Sequence, residues 1–372
     1  MVYIHSVGDL RTGLITATFP LTGTSWSRPL KDAGTGSGTL DLTDPDNVAL
    51  SPRYTAAPAR SFWMIEWDSV PVWGGIIWSH KYTRKPSRQL TLGAAGLPSL
   101  WDHRKVLPAL GYASAPLAAA NTDLTALSLG TIAKRLVQQA VAAVGGNLPL
   151  VLPADVAGTG ERHYNAFDLP WLGDMLTALG EVADGPDIEF VPRRVEGNSS
   201  YIEWVMRAGN PYLTQAGDPW LWDDTVPESA VTDLSVDIDA SKLATRAWVP
   251  GTGSEQQMLL GLREDLTLVG AGYPLLEVED TTHKTTLEQT TLDAHADDLI
   301  ARRARPIEQW SLKVRADMPP VLGAYAPGDA AVVAVEGDPY IDDGDHALRI
   351  LGISGNDTAE VTLNVAATAA AV

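Results

Sequence analysis

Trp310-Ser311-Leu312-Lys313-Val314-Arg315-Ala316-Asp317 is the stretch whose reading decides the fold. Apolar Trp310, Leu312, Val314 and Ala316 alternate with polar Ser311, Lys313, Arg315 and Asp317, the period of a strand with one buried and one wet face. Pro319-Pro320 ends that strand, and Ala326-Pro327-Gly328-Asp329 turns the chain back. Ala330 to Val335 is a run of small and β-branched residues, apolar on both faces. It is predicted to be buried on both, or to lie against a neighbouring subunit. A polar loop, Gly337 to Asp345, leads into Leu348 to Ile353. Val361, Leu363 and Val365 then alternate with Glu360, Thr362 and Asn364. Four strands at turn-separated spacing predict a meander or small barrel. Nothing in this stretch has the look of a catalytic centre.

The same grammar recurs near the other end. Phe62 to Trp67 is apolar, Asp68-Ser69 forms a turn, and Val72-Trp73-Gly74-Gly75-Ile76-Ile77-Trp78 runs back. Lys81 to Arg88 is a basic loop, and Leu90 and Leu92 start a return strand. The chain therefore reads as two β-barrels with other material threaded between them. Before the Trp-rich hairpin, Leu14 to Phe19 reads as a strand, Trp26 and Leu30 as anchors, and Thr39 to Leu42 alternates. Gly34-Thr35-Gly36-Ser37-Gly38 lacks the spacing of a dinucleotide fingerprint, of a P-loop and of a nucleophile elbow, and reads as a flexible loop.

From about Leu107 the texture becomes Ala-rich and helical. Leu129, Ile132, Ala133, Leu136, Ala140, Val141 and Val144 recur at helical spacing until Gly145-Gly146. A second helix is predicted from Asp168 as N-cap, with Pro170 in its first turn and Leu172, Met175, Leu176 and Leu179 as its buried stripe. Ile188 to Val191 and Tyr201 to Met206 read as a hairpin. Leu234, Val236 and Ile238 mark a further strand, Gly251 to Gln257 a loop, and residues 258–305 a short piece ending in a helix around Leu292, Ala296, Leu299 and Ile300.

Composition narrows the function classes. The chain has 372 residues, no cysteine and a formal net charge of −19. Disulfides and thiolate metal sites are thereby excluded. No apolar run approaches the length of a membrane span, and residues 1–20 lack a signal-peptide pattern. The charge is uneven: residues 1–105 carry 11 basic and 8 acidic side chains (+3), residues 106–228 carry 6 and 15 (−9), and residues 229–372 carry 10 and 23 (−13). Such a surface repels phosphate and disfavours ordinary nucleic-acid binding.

The candidate constellations are weak. Asp342-Asp343-Gly344-Asp345-His346 is dense enough to suggest a cation, but it lacks EF-hand spacing and reads better as a solvated hairpin tip. His295, Asp297 and Asp298 point in different directions on a helix. Glu66 and Asp68 beside Trp63, Trp67, Trp73 and Trp78 are the candidates for a glycan site, although a hairpin core accounts for the same tryptophans. Lys81, Arg84, Lys85 and Arg88 are too few for a nucleic-acid stripe and suit an acidic partner, another copy of this chain included. No catalytic residue, cofactor or metal ligand is assigned.

Taken together, Val72-Trp73-Gly74-Gly75-Ile76 with Leu90-Thr91-Leu92, the passage Asp293 to Trp310, Leu322 to Asp329, Arg349-Ile350-Leu351-Gly352-Ile353 and Thr362-Leu363 resemble the tail-tip hub (minor tail) proteins of long-tailed, siphovirus-type phages of actinobacteria. The likeness is one of segment order and texture over most of the chain, strongest after Ala294. It implies a non-enzymatic virion protein of the tail tip or baseplate, made in the host cytoplasm. It also implies a homotrimer in which two barrels per chain form a pseudo-sixfold ring continuing the tail tube, with DNA later passing through. Implied partners are the distal tail protein, the tape-measure protein and receptor-binding tip proteins. Some relatives carry appended peptidoglycan-cleaving domains, whereas this chain runs into an Ala-rich tail after Val365 and shows none.

The expected fold is thus mainly β with α+β insertions, two tube-type β-barrel domains plus two smaller inserted ones. Residues 1–105 are the first barrel, 106–228 an inserted α+β domain, 229–250 and 306–372 the second barrel, and 251–305 a small insertion ending in a helix. Because edge strands pair readily across subunits, the expected interface comprises Trp73, Ile76, Trp78, Ala330, Val332, Val333 and Val335. The alternative is a carbohydrate-binding or glycan-cleaving protein of a cell envelope or tail fibre, which requires tryptophans exposed in a groove beside carboxylates.

Overall fold

The computed structural model describes residues 3–107, 120–182, 184–253, 257–283 and 288–367; the Ala-rich tail beyond Ala367 and the middle of the Gly251 to Gln257 loop lie outside them. Two compact units are present, residues 1–234 with 311–372, and residues 235–310.

The larger unit is mainly β. Its first strands are β1 (Tyr3–Asp9), β2 (Ile15–Thr18), β3 (Thr22–Pro29) and β4 (Thr35–Asp41), followed by two short helices, α1 (Pro45–Ala49) and α2 (Pro52–Thr55). The Trp-rich hairpin is β5 (Ser61–Trp67) and β6 (Val70–Thr83), and the return strand is β7 (Gln89–Gly96). They line up as β3-β4-β7-β6-β5-β1-β2. Laid flat, six inter-strand gaps would separate β3 from β2 by about 29 Å. Only Phe19, Pro20 and Leu21 link Thr18 to Thr22, a reach of at most about 14 Å. The run therefore curls until its ends approach. No ladder joins β2 to β3 among the described residues, so it is not a closed barrel.

One expectation fails here for a clear reason. Residues 34–38 are not a flexible loop but the turn into β4 and its first part. A Cβ on Gly36 would stand 2.3 Å from Cη2 of Trp73; glycine lets the indole lie directly on the strand. Composition that resembles a loop is in fact clearance for a large ring.

The chain then adds β8 (Thr122–Leu127), α3 (Leu129–Ala142), β9 (Leu150–Val151), β10 (Gly160–Tyr164), α4 (Leu172–Gly180), the hairpin β11 (Ile188–Val195) and β12 (Asn198–Ala208), and β13 (Trp220–Asp223). Ser128 caps α3 by accepting from the Thr131 N–H at 3.2 Å. Helix α4 starts later than Asp168: Leu169 takes φ 47° and Trp171 is the N-cap. Pro170 explains the delay, since it disfavours helical backbone in the residue before it. Helix α3 packs on β12, and both helices share a core with the hairpin and with β5 and β6. Ile132, Leu136, Leu172 and Leu179 share one core with Phe190, Trp204, Phe62 and Ile76.

The last strands are β14 (Val231–Asp239), β18 (Ile307–Arg315), β19 (Ala330–Val335), β20 (Gly344–Asn356) and β21 (Glu360–Ala367). Their order corrects the meander: β18 lies beside β21, not β19. The long connection 316–329 carries the chain over to β19, which leaves a Greek-key order in place of successive hairpins. Strand β20 links the two ends of the chain. Its first part pairs with β19, and residues Gly352–Asn356 pair with Ser25–Pro29 of β3. Thirteen strands, β1–β7, β13, β14 and β18–β21, therefore belong to one sheet, while β8 pairs with β10 and β9 joins the β11–β12 hairpin.

In the smaller unit, β15 (Arg246–Pro250) lies between β16 (Leu260–Glu264) and β17 (Glu277–Glu279). After the short helix α5 (Thr267–Gly270), helix α6 (Gln289–Arg303) covers one face of this sheet. Ala247 and Val249 meet Leu292, Ala296, Leu299 and Ile300. A Cβ on Gly261 would lie 2.5 Å from the Leu292 carbonyl oxygen, so only glycine admits the helix this close.

Candidate interaction sites and a buried charge junction

The tryptophan hairpin is core. Trp63, Trp67 and Trp73 are 0%, 3% and 2% exposed. Trp63 and Trp73 meet edge to face at 5.3 Å, and the Trp73 indole N–H donates to the Ser27 carbonyl at 2.9 Å. Trp78 is half-buried and donates to Ser99 Oγ at 2.8 Å. Glu66 is wholly buried. No groove of exposed rings beside carboxylates forms there, so the geometric requirement of the glycan reading is not met.

Of the residues expected at a subunit interface, Trp73, Ile76, Val333 and Val335 are buried within the chain, while Trp78, Ala330 and Val332 keep partial exposure. Neither strand is an edge. Strand β6 lies between β5 and β7, and β19 lies between β20 and β13, with which it runs parallel. Within this chain, the edge-strand reason for choosing these segments therefore does not apply. The basic side chains Lys81, Arg84, Lys85 and Arg88 are all exposed.

The acidic tip around Asp342 is built of turns. Asp343 accepts from the Gly337 N–H at 2.6 Å, and His346 Nε2 lies 2.8 Å from the Asp342 carbonyl oxygen. The neighbouring Asp338 accepts from the backbone N–H groups of Ile341 and Tyr340, which hold its carboxyl below the usual range. Among the described residues no three such side chains converge as metal ligands. On α6, Asp297 pairs with Arg263 and Asp298 with Arg302, the ion pairs of a surface helix.

Sequence reasoning missed a junction of buried carboxylates. Glu189 on β11 receives Arg28 Nε at 2.5 Å and Arg207 Nη1 at 2.8 Å. Asp187 accepts from Arg349 and, at 2.8 Å, from the Leu213 N–H, and Lys31 Nζ lies 3.5 Å away. Asp329 accepts from the Ala326 N–H at 2.9 Å and the Trp220 indole at 3.2 Å. These groups come from β3, β11, β12, β20 and the turn before β19, around the place where β20 meets β3. An unpaired charge in such a place costs several kcal/mol, so each pair fixes how its elements meet. The one sequence signal is Asp187-Ile188-Glu189-Phe190, whose alternation puts both acids on one face.

No family model matches the sequence, and no curated protein matches it. Solved structures do. The tail protein from Neisseria meningitidis aligns with a TM-score of 0.58 at 14% identity, covering 99% of this chain and 97% of that one. The tail protein of prophage MuSo2 from Shewanella oneidensis gives 0.61 at 12% identity, covering 100% and 99%. The fold is similar to that of phage tail proteins. A prophage tail protein from Listeria monocytogenes gives 0.51 at 10% identity over 98% of this chain and 94% of that one. At these identities the likeness concerns the fold, and it runs the length of both chains.

Proposed function

We propose that the chain is a structural hub of a phage tail tip, acting as a homotrimer and not as an enzyme. The observation that carries this reading is the ladder between β20 and β3. It sets two strand runs side by side in one chain, the curled β3-to-β2 run and the β14-to-β19 run, and in this reading each serves as one wall of the ring. Three chains would then supply six walls to a pseudo-sixfold ring that continues the tail tube. The two strand runs would form the ring, while α3, α4 and the β11–β12 hairpin, together with β15–β17 and α6, would face neighbouring proteins. The full-length likeness in fold to tail proteins supports this reading.

In the ring, β6 and β19 serve as wall strands, and Trp78, Ala330 and Val332 are the members of the expected interface set with surface to offer. A trimer carries a formal charge of 3 × −19 = −57. An acidic lumen would let DNA slide without adhering. Partners in this reading are the distal tail protein above, the tape-measure protein and the receptor-binding tip proteins.

Light scattering on the purified chain tests the reading. The chain is 39.7 kDa, so the trimer is expected at 3 × 39.7 = 119.1 kDa. A monomer at every salt and protein concentration, joined to the absence of this chain from the tail tip of imaged particles, would overturn it.

A further inference from the structure

The smaller unit carries a cavity of about 510 Å³ at the end of α6. Lys242, Arg302, Arg303 and Arg305 line it, four of the seven lysines and arginines between residues 235 and 310. Two carboxylates, Glu279 and Asp280, share the lining, and Leu299 and Ile307 give it an apolar wall. The helix macrodipole accounts for Arg302 and Arg303 in the last turn of α6. It does not account for Lys242 and Arg305, which reach the same space from outside the helix. Arg302 is held by Asp298, and Asp280 accepts from the Thr282 N–H at 2.9 Å and hydroxyl at 2.6 Å. Among the described residues no hydrogen bond or ion pair engages the side chain of Arg303 or Arg305. Guanidinium groups bind carboxylates in forked pairs, so these two arginines select an anion.

The same chain presents a matching surface. Glu336 to Asp345, which carries the chain from β19 into β20, holds five carboxylates and no lysine or arginine in ten residues. Asp338 and Asp343 are occupied by backbone N–H groups of the tip itself. Among the described residues no hydrogen bond or ion pair engages the carboxylates of Glu336, Asp342 or Asp345. Beside them Tyr340 is 71% exposed, a ring of the kind that interfaces cover. The free carboxylates match the arginines, and the ring matches the wall of Leu299 and Ile307. The tip also continues directly from β19, whose Ala330 and Val332 keep surface to offer. We infer that the 336–345 tip of one copy docks in the basic cavity of another. Cavity and tip are different surfaces, so the contact is head-to-tail, the kind that closes identical chains into a ring. The inference rests on the self-association proposed above.

The test is light scattering at low salt on charge-reversed full-length variants. Arg303→Glu with Arg305→Glu, and separately Asp342→Lys with Asp345→Lys, are each expected to raise the concentration at half-dissociation on the order of a hundredfold. All four changes in one chain restore the attraction with its signs exchanged. Recovered association in that chain shows that lost charge pairing, and not misfolding, caused the losses. Association that survives reversal of the cavity or of the tip, or that the four-change chain fails to regain, overturns the docking and leaves the trimer reading standing. So does dependence on Lys81→Glu with Lys85→Glu in place of the arginines, which would give the tip to the basic loop. A parent that stays monomeric counts against the trimer reading instead. A labelled synthetic peptide of residues 336–345 is then titrated into the monomer and followed by fluorescence anisotropy. Saturable binding that Arg303→Glu with Arg305→Glu weakens upholds the docking, and no saturable binding overturns it.

Discussion

Arg194 meets Glu66 through two parallel hydrogen bonds, Nε to Oε1 at 2.7 Å and Nη2 to Oε2 at 2.6 Å, across 128 residues of sequence. Glu66 belongs to β5 and Arg194 to β11, so the pair ties the inserted hairpin to the Trp-rich one. The Ser6 hydroxyl adds a bond to Glu66 Oε2 at 3.3 Å. A carboxylate read in sequence as a catalytic candidate is thus a buried tie. Its oxygens are engaged, and Glu66 is 0% exposed.

Removing one partner should hurt more than removing both. Arg194→Leu strands a buried charge and is expected to cost about 3 kcal/mol, the low end for buried pairs. The low end applies because the Arg194 side chain keeps 31% exposure. Glu66→Leu combined with Arg194→Leu is expected to recover most of that loss. Urea unfolding of the three proteins measures it, and a single-mutant loss well under about 1 kcal/mol would mean that solvent screens the pair.

His5 predicts an acid-side loss of stability. Burial pushes its pKa from 6.5 down to about 4, against a smaller opposing pull from Asp357. The unfolded chain takes up this proton near pH 6.5, whereas the folded chain holds it off until about pH 4. Stability from this group is complete above 6.5 and drains away as pH falls toward 4. At about 1.4 kcal/mol per tenfold change, the fall amounts to roughly 3 kcal/mol. The difference in unfolding free energy between pH 7 and pH 4.5 should therefore be smaller in His5→Gln than in the parent. An unchanged difference would show that His5 is solvated.

What the sequence disclosed follows its physics. Alternation exposed β18 and β21, because each has one covered face, and an apolar run exposed β5. Strand β1 escaped: Tyr3-Ile4-His5-Ser6-Val7-Gly8 is half or fully buried on both sides and shows no alternation to read. The cross-chain partners escaped for another reason. Arg28 and Glu189 are 161 residues apart, and Arg349 and Asp187 162. Local windows see Asp187 and Glu189 only as two acids on a strand face, which usually means solvent. Segment texture revealed the architecture, while the contacts that fix it lie beyond any local pattern.

Gly36 and Trp73 offer the sharpest check on the curled run. The indole is pinned from two sides, by its bond to Ser27 and by the Trp63 ring, so it has little freedom to retreat. Gly36→Ala places a methyl group 2.3 Å from Cη2 and 2.8 Å from Cζ3 of that indole. Overpacking of this kind costs about 1–3 kcal/mol. Trp73→Leu alone should also destabilise, by opening a void in the core. In the double variant the new methyl occupies part of the space the ring vacates, so the two losses should fall short of their sum by about 1 kcal/mol or more. Thermal unfolding of the four proteins gives the coupling. Strict additivity would mean that β4 does not lie against Trp73.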